Sequence, residues 1–201
     1  MKINENLNLV VPVVSDDKGI IVRGYHVPIS REVFEANYRI LAATKASLSG
    51  KGVRFLMDSG PRIAALTLRD EGRQEAADRG DFDTKGNPKD GGAEDLLLEI
   101  KRLTTIMAPT SNGWEFLPVD TAITQGIIDE DDWREAESAI VFFTAHSALA
   151  KKADRAGIMR ATTSLLKAST TSLPPMEFAN SLLTSTTTDA SETKVASSVP
   201  S

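Results

Sequence analysis

Cysteine is absent from this 201-residue chain, and histidine, tryptophan and tyrosine occur only twice each. Without thiols there is no disulfide framework, no cysteine zinc site, no iron–sulfur cluster and no thiol nucleophile. The same absence fits a cytoplasmic protein. Long apolar runs are missing too. The uncharged stretch from Ser138 to Ala150 reaches about 20 Å as a helix, short of a hydrocarbon core of about 30 Å, so no membrane span is expected. Met1-Lys2-Ile3-Asn4-Glu5-Asn6 is too polar for a secretory signal, and no leader is expected. Nor is there a cationic excess: 23 Lys+Arg stand against 28 Asp+Glu, a net charge of -5. Non-specific nucleic-acid binding needs a cationic face, so it is not expected.

What is present suits a folded domain. Hydrophobic residues make up 41% of the chain, enough for a sizeable core. Leu7, Leu9, Val11 and Val13 alternate with Asn8, Val10, Pro12 and Val14, a period of two that predicts a strand. Ser15-Asp16-Asp17-Lys18-Gly19 is turn chemistry, and Ile20 to Val27 reads as the return strand. Pro12 lacks an N–H and points to an edge position or a bulge.

After Pro28 the period changes. Ser30 suits an N-cap, Glu32 a first turn, and Ile29 with Phe34 a hydrophobic staple. Phe34, Tyr38, Leu41 and Leu48 form an apolar stripe that Gly50 and Gly52 end. A second helix starts at Pro61, and residues 80–92 read as a loop rich in Gly, Asp and Pro. Leu96, Ile100, Leu103 and Met107 are spaced for a helix, with the β-branched Thr104-Thr105-Ile106 obscuring its end. Asn112-Gly113 predicts a hairpin turn between 106–109 and 114–118. A short helix over 119–125 follows. The clearest helix runs from Glu130 to Ala150, capped by Asp129 with Glu130, Asp131 and Asp132 in its first turn. Another is expected over 158–167.

No group of residues carries a catalytic signature. His146 and Ser147 are adjacent on a helix, so their side chains diverge by about 100°. Ser49-Gly50-Lys51-Gly52 lacks the first glycine and the hydroxyl of a phosphate loop. Asp81 to Gly86 starts like a calcium loop, but Lys85 sits at a ligand position and Gly92 replaces the closing Glu. The acids at 129–132 fan around the helix axis and read as capping, not as a metal site. Lys151, Lys152, Arg155 and Arg160 form a modest basic cluster. Catalytic, metal and cofactor residues are therefore expected to be none.

The end of the chain changes character. Ser and Thr fill 10 of the 18 positions from Thr184 to Ser201, a composition that cannot offset its ordering entropy and predicts disorder. Before it lies an apolar island, with Met176, Phe178, Leu182 and Leu183 as candidate partner-binding residues. Burying these four can contribute roughly 6–12 kcal/mol, while ordering about ten residues costs roughly 10–20 kcal/mol. The island should therefore not fold alone; it docks on a partner or packs on its own domain. The expected architecture is α+β and mainly helical: a β-hairpin over 1–28, a helical domain with a small central hairpin over 29–168, and a flexible Ser/Thr-rich tail over 169–201.

Four stretches together carry a family likeness: VPISREVFEANYRILAAT (27–44), GPRIAALTLRD (60–70), LLLEIKRLTTIMAPTSNGWEFLPVDTAITQGIIDEDDWREAESAIVFFTAHSA (96–148) and TTSLPPMEFANSLLTSTTT (170–188). The chain resembles the tail assembly chaperones of long-tailed bacteriophages, encoded between the tail-tube and tape-measure genes. The resemblance implies a non-enzymatic, largely helical protein of the host cell cytoplasm. Such a protein binds the tape-measure protein, recruits tail-tube protein and leaves before the virion is finished. It implies no cofactor and leaves a homo-oligomer open. A frameshifted longer product is also known in this family. The alternative expectation is a structural tail or head–tail connector protein, whose hairpins at 7–27 and 106–118 would make ring or tube contacts.

Overall fold

The computed structural model describes residues 7–189 apart from Lys18, Gly91 and Asn112, with side chains as far as Leu182. Parts of the two expected turns (Lys18 and Asn112), residues 1–6 and residues 190–201 of the expected tail lie outside the described residues. The chain is α+β and mainly helical, with the expected hairpin first. Strand β1 (Asn8–Asp16) pairs antiparallel with β2 (Gly19–His26), from Leu9 opposite His26 to Asp16 opposite Gly19. The register shifts just after Pro12.

The two hairpins are not separate. Strand β3 (Thr104–Thr110) pairs with β4 (Gly113–Pro118) and, on its other side, with β2, Arg23 facing Met107 and His26 facing Thr104. A short strand β5 (Ser169–Thr171) pairs with Asn8, Leu9 and Val10. The sheet order is β4-β3-β2-β1-β5. β1 and β2 thus form no separable hairpin, because both pair with strands from later in the chain. Since β5 stops at Val10, Pro12 sits where β1 has no neighbour on that side, which its missing N–H requires.

The helices between β2 and β3 follow the local signals with some corrections. Helix α1 (Arg31–Gly50) starts at Ser30, whose Oγ accepts from the Val33 N–H at 3.3 Å. Ile40, Leu41, Thr44 and Leu48 are buried, but Tyr38 is turned half outward. An unexpected short helix α2 (Val53–Asp58) follows Gly52. Helix α3 (Gly60–Arg79) runs through Gly72 and ends at Gly80, whose positive φ of 73° closes it. Gly72 is needed because a Cβ there would stand 2.1 Å from the Asp90 carbonyl oxygen. Helix α4 (Ala93–Arg102) ends earlier than its apolar spacing suggests, since Thr104 begins β3 and takes Met107 into the sheet.

Helix α5 (Val119–Thr124) turns the chain into α6 (Glu130–Ala148), which lies in the core and buries Trp133, Ile140, Val141, Phe142 and Phe143. The acids at its start act as expected from the sequence. The Asp129 carboxylate accepts from the Asp131 and Asp132 N–H groups at 2.8 Å each, and Asp132 accepts from the Asp129 N–H at 3.0 Å. Helix α7 (Arg155–Leu165) leads into β5. The helices pack on one face of the sheet, against Leu9, Val11, Val22, Ile106 and Ala108.

The final element corrects the expected tail boundary at 168. Beyond β5, helix α8 (Pro175–Asp189) lies against the opposite face of the sheet, with Thr171 and Ala179 buried. Composition alone underrated 169–182, because its hold depends on backbone pairing to β1 and on two adjacent side chains, Phe178 and Ala179.

Candidate interaction surface

The sheet has two apolar faces. Alternation along each strand turns Val10, Tyr25 and Met107 away from the helical core, and these three form a second cluster with Ala179. Trp114, Phe116 and Phe178 pack on it, partly buried. Val10, Tyr25 and Met107 are each no more than 2% exposed. The signal for this face was present in β1, where Val10 occupies the phase expected to be polar; Val14, in the same phase, is turned to the helical core by the register shift after Pro12. A strand apolar in both phases is covered on both sides.

Helix α8 provides the cover. The chain reaches it from β5 through Ser172, Leu173 and Pro174, and the Tyr25 hydroxyl donates to the Leu173 carbonyl at 2.7 Å. The four candidate partner-binding residues therefore separate. Phe178 turns to the sheet, and Leu182 is half-buried. Met176 is 65% exposed, and Leu173 beside it is 38% exposed. The side chain of Leu183 lies outside the described residues. Part of the island thus packs on its own domain and part faces outward.

Arg23 shares this outer face. Its position opposite Met107 and two residues from Tyr25 puts it beside the aromatic cluster. It is half-buried, makes no ion pair among the described residues, and its Nε is shut from solvent without a hydrogen-bond partner. Burial lowers its pKa from the ordinary arginine value. Tyrosine, tryptophan, phenylalanine, methionine and arginine are the residue types enriched at protein–protein contacts.

A second concavity lies between α3, α4 and α6. Leu66 and Leu98 stand exposed on its rim, with Leu97 and Trp133 buried beneath, around about 440 Å³. Its charges are mostly matched internally. Arg69 donates to Glu94 at 2.9 Å and to Glu137 at 3.3 Å, Lys101 pairs with Asp120, and Arg134 with Asp131. Burial pushes the Glu137 carboxyl up, against the opposing pull of Arg69. This cleft is a braced helix junction.

The other sequence candidates serve local structure. Asp83 accepts from the N–H groups of Lys85 and Asn87 at 2.8 Å each, so its carboxylate organises the loop. Gly52 caps the start of α2. His146 contacts the Phe142 carbonyl through Nδ1 at 2.8 Å and stacks near the Phe142 ring. Lys151 and Lys152 lie exposed beyond the end of α6, and Arg155 begins α7. Among the described residues no three His, Asp or Glu side chains converge as a metal site, and no helix is long and apolar enough to cross a membrane. No protein-family model, curated protein or solved structure matches the chain.

Proposed function

We propose that this chain is a tail assembly chaperone of a long-tailed bacteriophage. It binds the tape-measure protein in the host cytoplasm, recruits tail-tube subunits, and performs no chemistry of its own. The reading starts from the sequence resemblance. The observation that carries it furthest is the setting of α8, with Met176 on it and Leu173 just before it exposed. A chaperone needs apolar surface that a long apolar client can reach, presented on a body that stays folded.

The test is co-expression with the tape-measure protein encoded in the same genome, followed by capture through a tag on this chain. The expected result is a soluble complex, and a tape-measure protein that aggregates without it. Truncation after Ala168 is a poor control, because it removes β5 as well as α8. Met176→Asp is better: the side chain is outward, so the fold is kept while an apolar contact is lost. Unchanged aggregation of the tape-measure protein in the presence of this chain sinks the reading.

The structural alternative draws on one observation. Strand β4 is a sheet edge, with Trp114, Phe116 and Leu117 half-buried along it, so it can pair with a further strand. The hairpin over 7–27 is paired on both sides only at its base, where β5 meets Asn8 to Val10 and β3 meets Arg23 to His26, so its turn end is open as well. Finding this chain in purified virions would favour that alternative over the chaperone.

A further inference from the structure

The outer face of the sheet and α8 do not fit each other completely. Val10, Tyr25 and Met107 are fully covered, yet Arg23 in the same face finds no carboxylate. The acid available on α8 between 175 and 182 is Glu177, which is exposed and makes no ion pair among the described residues. A half-buried guanidinium on the same sheet face as Tyr25, with Nε closed off from solvent and no ion pair among the described residues, suits a carboxylate.

Among the described residues, the side chains of α8 that pack on the outer cluster lie in its first half. Helix α8 is held by Phe178 and Ala179 on the cluster and by the Tyr25 hydroxyl on Leu173. The connection from β5 spans just three residues and ends at two successive prolines, Pro174 and Pro175. The helix is 15 residues long and rich in Ser and Thr. Helices of about 12–15 residues are marginal in water, so α8 depends on the sheet for its helicity. What it shows is the kind of object this face accepts: a helix with a bulky and a small side chain side by side.

We propose that α8 is a displaceable cover, and that the sheet face formed by Val10, Arg23, Tyr25, Met107 and Phe116 is the docking site for an amphipathic helix of the client that carries a carboxylate for Arg23. The client is the tape-measure protein, so the inference rests on the chaperone reading above. The cover protects an apolar sheet face from self-association until a client helix with the missing charge replaces it. Phe178 then acts as a competitor of the client and not as its contact.

Two measurements test this on the full-length chain. Native-state hydrogen exchange comes first and needs no partner: amides of 179–182 should exchange at least about 100-fold faster than those of Val22 to Tyr25, as a separately opening unit does. Equal protection would mean that α8 opens only with the whole fold, and would overturn the proposal. Capture of the tape-measure protein comes second. Phe178→Ala should strengthen capture about 5- to 20-fold by raising the open population, while Arg23→Gln should weaken it and leave the exchange of the sheet unchanged. Weaker capture by Phe178→Ala would make Phe178 a direct contact and reject the cover, leaving the chaperone reading intact. Failure of the wild type and both variants to capture the client would reject that reading, and this inference with it.

Discussion

At the scale of single residues, the best-defined polar constraint is the pair His26 and Thr104. The Thr104 hydroxyl donates to the Ile100 carbonyl at 2.7 Å, so its oxygen is left to accept from His26 Nδ1–H at 3.0 Å. That assigns the tautomer and leaves the buried Nε2 without a partner. Burial lowers the His26 pKa to about 4, against smaller upward pulls from the Ile100 carbonyl and Glu99. The unfolded chain, near 6.5, binds the proton first as pH falls, so stability is lost between pH 6.5 and 4. Urea titrations should show roughly 2–3 kcal/mol of the decline from pH 7 to pH 4.5 disappearing in His26→Gln. Thr104→Val removes the acceptor for a buried N–H and should cost about 1–3 kcal/mol at neutral pH.

Two element-scale features have equally direct consequences. The capping box of α6 sits at the surface, so Asp129→Ala should destabilise by about 1 kcal/mol, read from the thermal midpoint. Gly72 marks where α3 passes the start of α4. A methyl at 2.1 Å from the Asp90 oxygen and 2.9 Å from the Ala93 Cβ meets backbone that cannot rotate away. Gly72→Ala should therefore cost about 2–3 kcal/mol, despite its better helix propensity. Local signals revealed the first feature and concealed the second. Ser30, Asp129 and Gly80 act within one turn of their own helix, so they are legible from neighbours in the chain. Gly72 looks like a helix weakness until the loop before α4 is placed against it. Met107 shows the same limit: its spacing from Leu96, Ile100 and Leu103 is helical, but pairing with Arg23 and Phe116 puts it in a strand.

Across the whole molecule, the sheet ties the ends of the chain to its middle. β2 pairs with β3 across the excursion that contains α1 to α4, and β5 returns to β1 from the far end of the helical part. Deleting residues 1–28 removes two inner strands and the apolar face on which α6 packs. Residues 29–168 alone should give no cooperative thermal transition and little near-ultraviolet dichroism; a sharp transition would show that the helices form a core without the sheet.

Fold class, the two hairpins and the strong helices were readable from the sequence. They follow from periodicity, caps and turn residues that act over a few positions. The candidate surface was readable only in part. Met176 and Phe178 stood out as an apolar island, and the apolar second phase of β1 at Val10 hinted at a covered face. The joining of both hairpins into one sheet, the seat of α8, the separation of Met176 from Phe178, and the unpaired Arg23 came only with the tertiary structure. Each depends on contacts between segments distant in sequence, whose closure no local pattern records. The sequence by itself determined what the local elements are; long-range pairing decided which apolar face meets the helices and which meets α8.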